Sequence, residues 1–165
     1  MAQPLSDELA RLRVDWRGAL PGGALVAGNR AIGRDRYARD HRIVRLGPDG
    51  EPRWAGTVYG KLLAAFVAEG HLWTLDELGG GTTIRAWDDT TGAAVGSVSP
   101  SGAVMAIRLA RFAERVIEVW TWDVGGHPTD RGTWRVTARL DGTILARDEV
   151  GQGQHAPPEG WAWRG

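Results

Sequence analysis

The stretch TTIRAWDDTTGAAVGSV, from Thr82 to Val98, decides the fold. Its first half is rich in β-branched and aromatic residues and ends at Trp87-Asp88, and a polar turn that closes at Gly92 follows. A second strand-like run begins directly after this glycine. Because Gly tolerates the positive φ that hairpin turns require, the stretch predicts two antiparallel strands joined by a tight turn.

The same pattern occurs twice more, in HRIVRLGPDGEPRWAG at 41–56 and TWRVTARLDGTILARDEV at 133–150. The three turn glycines, Gly50, Gly92 and Gly142, lie 42 and then 50 residues apart. A more apolar pair of strand-like runs precedes each hairpin, so each unit is predicted to contain four strands. A four-stranded unit that recurs at this spacing is typical of the blades of a β-propeller.

The segment HLWTLDELGGGTTIRAWDDTTGAAVGSV, residues 71–98, resembles the blades of WD-repeat and quinoprotein-like β-propellers. The outer hairpin of those blades commonly has Trp-Asp and Thr-Gly between its strands. GPDGEPRW at 47–54 resembles the quinoprotein-type hairpin, in which Asp-Gly precedes a Trp. The resemblance extends over residues 23–150 and implies a blade architecture, but it implies little about activity because this fold hosts many functions.

The sequence therefore predicts an all-β protein of antiparallel four-stranded meanders, stacked as β-propeller-like blades. TWRVTARL at 133–140 is the clearest strand, because apolar and polar residues alternate along it. Strands are also expected at 41–46, 71–76 and 82–87. The only helical candidate is Ser6 to Arg13, where Ser6 is placed to cap a turn that has leucines on one face.

The predicted propeller-like domain comprises three blade units, at residues 23–56, 57–98 and 99–150. An N-terminal segment at 1–22, with a short helix or an edge strand, precedes this domain. A Trp-containing tail at 151–165 follows it.

Three units are fewer than the four to eight blades of ordinary propellers, so several architectures stay open. The two ends of the chain would complete a fourth blade, or a second copy or a different protein would close the ring. The same meander would also suit a closed β-barrel or a sandwich. An open stack with two unpaired edges would be prone to association, and we therefore expect a protein partner or a second copy of the chain.

Composition restricts the function classes. The 165-residue chain has 20 basic and 20 acidic residues, so no overall field attracts nucleic acid or an anionic membrane. It has no Cys, which excludes disulfides and thiolate metal sites. No apolar run approaches the ~18 residues of a membrane span, and the N-terminus does not have the pattern of a secretory signal. We expect a cytoplasmic protein, and the preference for Arg over Lys is typical of a GC-rich bacterial genome.

Two groups of residues are candidates for binding. RDRYARDH at 34–41 is dense in charge, and as a hairpin loop it would present an arginine cluster to a phosphate or a carboxylate. The alternative is a solvated tip whose charges pair internally. The C-terminal tail would provide a docking element for a partner or a second copy. The candidate binding residues are Arg34, Arg36, Arg39, His41, Trp161 and Trp163.

No catalytic constellation, nucleotide-binding loop or metal motif is found, and we expect neither a cofactor nor a metal. Asp123, His127 and Asp130 are predicted to lie in a long turn rather than to ligate a metal. The nine Trp residues either fill the gaps between sheets or provide platforms for a sugar. The sequence favours a non-enzymatic protein-interaction module or assembly subunit, with a carbohydrate- or small-ligand-binding domain, lectin-like or glycan-active, as the alternative.

Overall fold

The computed structural model describes residues 4–123 and 131–165, and at residues 35–38 it describes the backbone alone. The described residues form one α-helix, one 3-10 helix at Phe112–Glu114 and thirteen strands. The elements are α1 (Leu5–Arg11), β1 (Arg13–Leu20), β2 (Gly23–Ile32), β3 (Asp35–Leu46), β4 (Pro52–Val58), β5 (Lys61–Ala68), β6 (His71–Leu78), β7 (Gly81–Asp88), β8 (Ala94–Val98), β9 (Ala103–Arg111), β10 (Val116–Asp123), β11 (Gly132–Arg139), β12 (Ile144–Gln152) and β13 (Trp163–Arg164). No helix in this part of the chain has the length and apolar character needed to cross a bilayer.

The strands form three antiparallel sheets. The first sheet has the order β1-β2-β3-β4, the second β5-β6-β7-β8, and the third β12-β11-β10-β9-β13. The predicted all-β class of antiparallel meanders is confirmed, and so are the strands expected at 41–46, 71–76, 82–87 and 133–140. The described residues form three separate sheets, so the alternative of one closed β-barrel is wrong for them.

The chain divides into two compact units. One contains the chain up to Leu78 together with Trp87–Ala94, and the other contains Gly79–Ala86 and the chain from Val95 onwards. The chain passes between them three times, after Leu78 at the end of β6, after Ala86 within β7 and after Ala94 at the start of β8.

In the first unit, both faces of the first sheet are buried. Leu25 and Ile43 point to one face and pack in a cluster with Leu62 and Trp87 of the second sheet. Val26 and Val44, one residue further along the same strands, point to the opposite face, because side chains alternate along a strand. There they pack with Leu12 and with Leu9 of α1. The first sheet is therefore enclosed between the second sheet and the N-terminal helix.

The helix itself begins differently from the sequence prediction. Pro4 occupies the N-cap position, with φ of −53°, and no side chain caps the first turn, so the predicted capping role of Ser6 is wrong. Glu8 is buried and accepts a hydrogen bond from Arg42 of β3. The N-terminal segment thus provides both the helix that covers the first sheet and that sheet's edge strand β1.

In the second unit, the third sheet shows the predicted alternation along β11. Val136 and Ala138 are buried, whereas Arg135 and Arg139 are exposed. The C-terminal tail returns to this sheet, where Trp163 of β13 pairs with Ile107 of β9. The tail therefore adds a fifth strand to the sheet.

The three predicted turn glycines all adopt positive φ. The values are 80° at Gly50, 74° at Gly92 and 97° at Gly142. Each therefore occupies the left-handed region that non-glycine residues enter only with strain. The shared hairpin chemistry on which the repeat was recognised is present in all three sheets.

Candidate functional site

The second and third strands of the first sheet are longer than their neighbours. Pairing of β1 with β2 ends at Asn29, and pairing of β4 with β3 ends at His41. The β2–β3 ladder continues beyond both positions, through Arg30 opposite Asp40 and Ala31 opposite Arg39. Residues 30–40 therefore form a two-stranded hairpin that extends past its sheet, and we call it the basic arm.

Both outer edges of the basic arm lack a neighbouring strand among the residues that the structure describes. The arm is held across its two strands by an ion pair, in which Nε of Arg30 donates to the carboxylate of Asp40 at 2.9 Å. An isolated two-stranded ladder is marginally stable in water, so this cross-strand pair supports the extended conformation.

The charges of the basic arm are unbalanced. Its sequence, RAIGRDRYARD, has four Arg and two Asp. Because Arg30 and Asp40 neutralise each other, the excess positive charge belongs to the distal part of the arm. Arg34 lies in the turn and is exposed, and Arg39 is exposed on β3.

A cleft opens beside the base of the basic arm. Its volume is about 500 Å³. It is lined by Arg11, the last residue of α1, and by the apolar side chain of Ile32, which is 50% exposed. The lining residues are Arg11, Arg30, Ala31, Ile32, Gly33 and Asp40. The cleft therefore combines cationic groups with an exposed apolar side chain.

The four binding residues predicted in RDRYARDH have three different locations in the structure. Arg34 and Arg39 lie on the basic arm, and the side chain of Arg36 lies outside the described part of the chain. His41 is half-buried at the base, where its backbone pairs with Asn29 on one side and Val58 on the other. His41 is thus a member of the sheet rather than of the extending hairpin.

Sequence reasoning missed Arg11 and Arg30, and it included Asp40 in RDRYARDH without pairing it with Arg30. The turn lies at Gly33 and Arg34, and the register shifts between Ala31 and Ile32, so counting outward from the turn does not place Arg30 opposite Asp40. Arg11 had no sequence signal, because its position depends on how the helix packs on the first sheet.

The two tail tryptophans belong to the second unit and are half-buried. The ring of Trp161 meets Trp120 edge to face, with centroids 5.8 Å apart and planes at 85°. The guanidinium of Arg108 lies 6.0 Å from the centroid of the same ring. Both tryptophans therefore pack against their own chain in this structure.

All nine tryptophans lie in the described ranges, and each is buried or half-buried. Trp54, Trp73, Trp87 and Trp120 are buried, and the first and third of these stack with centroids 5.9 Å apart. The structural interpretation of the tryptophans as packing groups accounts for these positions. The use of tryptophan platforms for a sugar stays a prediction.

The predicted turn that contains His127 and Asp130 lies outside the described residues, while Asp123 is described and accepts a hydrogen bond from Arg147 at 3.1 Å. Within residues 4–123 and 131–165, no group of three or more His, Asp or Glu side chains is arranged to hold a metal ion. The described part of the chain therefore offers charged and apolar surfaces, and the basic arm is one of them.

Comparison of the chain with models of known protein families, with curated protein sequences and with solved structures gave no match.

Proposed function

We propose that this chain is a non-enzymatic protein-interaction module, a propeller-like array of antiparallel sheets that presents the basic arm to an acidic segment of a partner protein. The observation that carries this proposal is the extension of residues 30–40 past their sheet, with both backbone edges unpaired in the described chain and an excess of Arg. The three glycine-closed hairpins support the blade resemblance to WD-repeat and quinoprotein-like propellers.

The physical basis is strand addition combined with charge pairing. An unpaired strand edge offers N–H and C=O groups that an extended peptide satisfies by adding a strand. Acidic side chains on that peptide would pair with Arg34 and Arg39, and Arg binds carboxylates in a bidentate geometry. A protein partner fits this surface better than a sugar, because only a peptide can extend the backbone ladder.

The cellular location and the kind of source organism that we propose rest on the composition of the chain. The absence of Cys supports a cytoplasmic protein, because disulfides are rare in that compartment. The strong preference for Arg over Lys supports a bacterial source.

The proposal is tested by titrating the full chain into labelled peptides and following fluorescence anisotropy. A peptide of alternating Glu and Val is expected to bind, whereas a Lys-Val peptide of equal length and a Glu-Val peptide interrupted by Pro are not, because Pro removes ladder donors. Replacing Arg34 and Arg39 together by Glu should weaken binding of the acidic peptide at least about tenfold.

The matched control is Arg17→Glu, which reverses an exposed charge on β1 outside the basic arm. It should leave the affinity within about twofold of the unmodified chain. Absence of binding to every peptide up to about 1 mM, or equal weakening by the control, would contradict the proposal.

A further inference from the structure

The outer strand of the third sheet, β12, is exposed on both faces. Every residue of Ile144–Gln152 except Gly151 is exposed, although the strand is nine residues long. It stands at the end of the order β12-β11-β10-β9-β13, and no strand in the described part of the chain pairs with its outer edge. Three apolar side chains, Ile144, Leu145 and Val150, are 44%, 39% and 41% exposed.

Natural edge strands are usually protected from pairing with another chain. Pro, charged side chains, a bulge or a very short strand serves this purpose. β12 has no Pro, and the charges of Arg147, Asp148 and Glu149 at its centre oppose pairing with any strand that does not match them. Its register shifts against β11 lie near its two ends, so the central residues 146–149 pair regularly with β11 and leave a regular outer edge. This central segment is therefore suited to accept another strand.

We propose that β12 pairs antiparallel with β12 of a second copy of this chain, about a two-fold axis that passes through Asp148. A two-fold axis perpendicular to an antiparallel pair of identical strands places one residue opposite the same residue of the second copy. The residue before it then lies opposite the residue after it in the second copy. With Asp148 at the centre, Arg147 lies opposite Glu149 of the partner subunit. The symmetry repeats this contact, so one interface has two complementary pairs of opposite charge.

Only this register matches the charges. Every register centred on Arg147, Asp148 or Glu149 places one like pair at its centre, but centring on Arg147 or on Glu149 gives no complementary pair, and centring on Ala146 pairs no two charged residues. The charged residues that would recognise the partner all lie on β12, so the edge of β12 is complementary to the same edge of a second copy. A second copy of the chain is therefore the partner that the surface fits.

The two central Asp148 residues would repel each other without compensation. Arg135 of β11 lies directly opposite Asp148 in the register of each chain and on the same face of the sheet. Arg135 therefore places a positive charge on the face of the sheet that carries the Asp148 side chains. On the other face, Arg147 is held in place by Asp123 at 3.1 Å and by the ring of Trp134, 4.0 Å from its guanidinium carbon. The guanidinium of Arg147 is therefore ordered before association, and Glu149 of the partner subunit would be its second carboxylate partner.

The first experiment measures self-association of the full chain by sedimentation velocity from about 1 to 100 µM. The unmodified chain is expected to form a dimer. Glu149→Arg places two Arg pairs across the interface and should raise the dissociation constant about tenfold or more. Adding Arg147→Glu together with Asp123→Arg, which keeps an ion pair within the chain, restores opposite charges across the interface and should return the constant to within about threefold.

The matched control is Glu51→Arg, which makes the same charge change at an exposed turn of the first unit and should leave the dimer unchanged. A chain that stays monomeric over this range, or a dimer that Glu149→Arg does not weaken, would overturn the proposal. The proposal does not depend on the basic arm, so the arm variants should dimerise normally.

The second experiment determines the register. The chain has no Cys, so Asp148→Cys provides a single thiol on the proposed axis. Directly opposite Cα atoms lie ~4.5–5.5 Å apart in an antiparallel pair, within the range of a disulfide. Asp148→Cys should therefore form a disulfide-linked dimer on mild oxidation.

Ala146→Cys serves as the register control, because the two thiols would be separated by about four residues along the strands, or ~13 Å. It should remain unlinked under the same conditions. Equal linkage of both variants would indicate random collision, and absence of linkage in both would place Asp148 away from the axis. Either result would overturn the proposal.

Discussion

Arg45 donates hydrogen bonds to both carboxylate oxygens of Asp89, at 2.8 and 3.0 Å, although only 5% of its side chain is exposed. The same guanidinium donates to the carbonyl oxygens of Ala24 and Pro21. Nε1 of Trp54 donates to the carbonyl oxygen of Asp89 at 2.9 Å. Within the first unit, the turn that follows β7 is thus fixed to the first sheet by a buried ion pair and an indole hydrogen bond.

Removal of one partner from this pair should be strongly destabilising. Asp89→Ala leaves the Arg45 guanidinium buried without a counter-charge, and we expect the free energy of unfolding to fall by about 3 kcal/mol. Urea denaturation at neutral pH measures this loss. The comparison variant is Arg53→Ala, which breaks an ion pair with Asp49 whose side chains are about half exposed. It should cost less than about 1 kcal/mol, and equal losses in the two variants would contradict the argument.

Two of the turn glycines allow a second comparison. A Cβ on Gly50 would meet no atom within 4 Å, so Gly50→Ala should cost only the strain of a left-handed residue, about 1 kcal/mol. A Cβ on Gly92 would lie 2.6 Å from the ring of Trp54. Gly92→Ala must also displace that ring, which stacks on Trp87, and should cost at least about 2 kcal/mol. Thermal unfolding of the two variants measures the difference, and equal losses would show that the ring moves without penalty.

Three aspartates at the hairpin turns have pKa values below the usual 3.8, because local donors stabilise their charged forms. The backbone N–H of Glu51 lowers the pKa of Asp49, and the backbone N–H groups of Thr91 and Thr90 lower that of Asp88. For Asp141 the largest cause is the side chain of Thr143, followed by its backbone N–H. Each of the three repeat hairpins is therefore closed by an ionised aspartate.

The lowered pKa values of these aspartates determine whether the stability of the fold rises or falls with pH. A carboxyl with a lowered folded pKa contributes stability that is complete above its unfolded value, near 3.8, and is lost as the pH falls through the folded pKa. We therefore expect the urea midpoint to decrease between about pH 5 and pH 2. Replacing Asp49, Asp88 and Asp141 together by Asn should lower the midpoint at about pH 6 and flatten its acid dependence. If the acid dependence of the urea midpoint is unchanged in this variant, carboxyl groups other than these three cause it.

The repeat was predictable from sequence because its determinants are local. Positive φ at Gly92, polar turn residues beside it and alternation along β11 are all properties of a few consecutive residues. The same reasoning found the distal arginines of the basic arm, since RDRYARDH is a charged run between two strand-like runs.

No local sequence pattern predicts the remaining features, because they depend on contacts between residues that are far apart in the chain. Glu8 is buried because Arg42, 34 residues later, lies beside it. The two-residue strand β13 is too short to show a period, and only its pairing with β9 reveals it. The helix begins at a proline because Pro is tolerated where the N–H groups lack partners, so the serine that fits a capping pattern was misleading.

The packing of the tail on the third sheet yields the last prediction. Trp161→Ala removes the edge-to-face contact with Trp120 and the contact with Arg108. We expect the free energy of unfolding to fall by about 1–2 kcal/mol. Because Gly165 donates its N–H to the carbonyl oxygen of Met105 at 2.9 Å, loss of the anchor should also speed amide hydrogen exchange at residues 163–165.

The site of the change in exchange separates local from global effects. If Trp161 anchors the tail, amides of β10 and β11 should keep their protection in Trp161→Ala while those of β13 lose theirs. Glu159→Ala, an exposed substitution in the same tail, should leave both unchanged. Unchanged exchange at β13 in Trp161→Ala would mean that backbone pairing with β9 holds the tail without the indole. Loss of amide protection across the whole third sheet would instead show that the tail and β9 unfold as one cooperative unit. In the sheet order, β9 lies between β10 and β13.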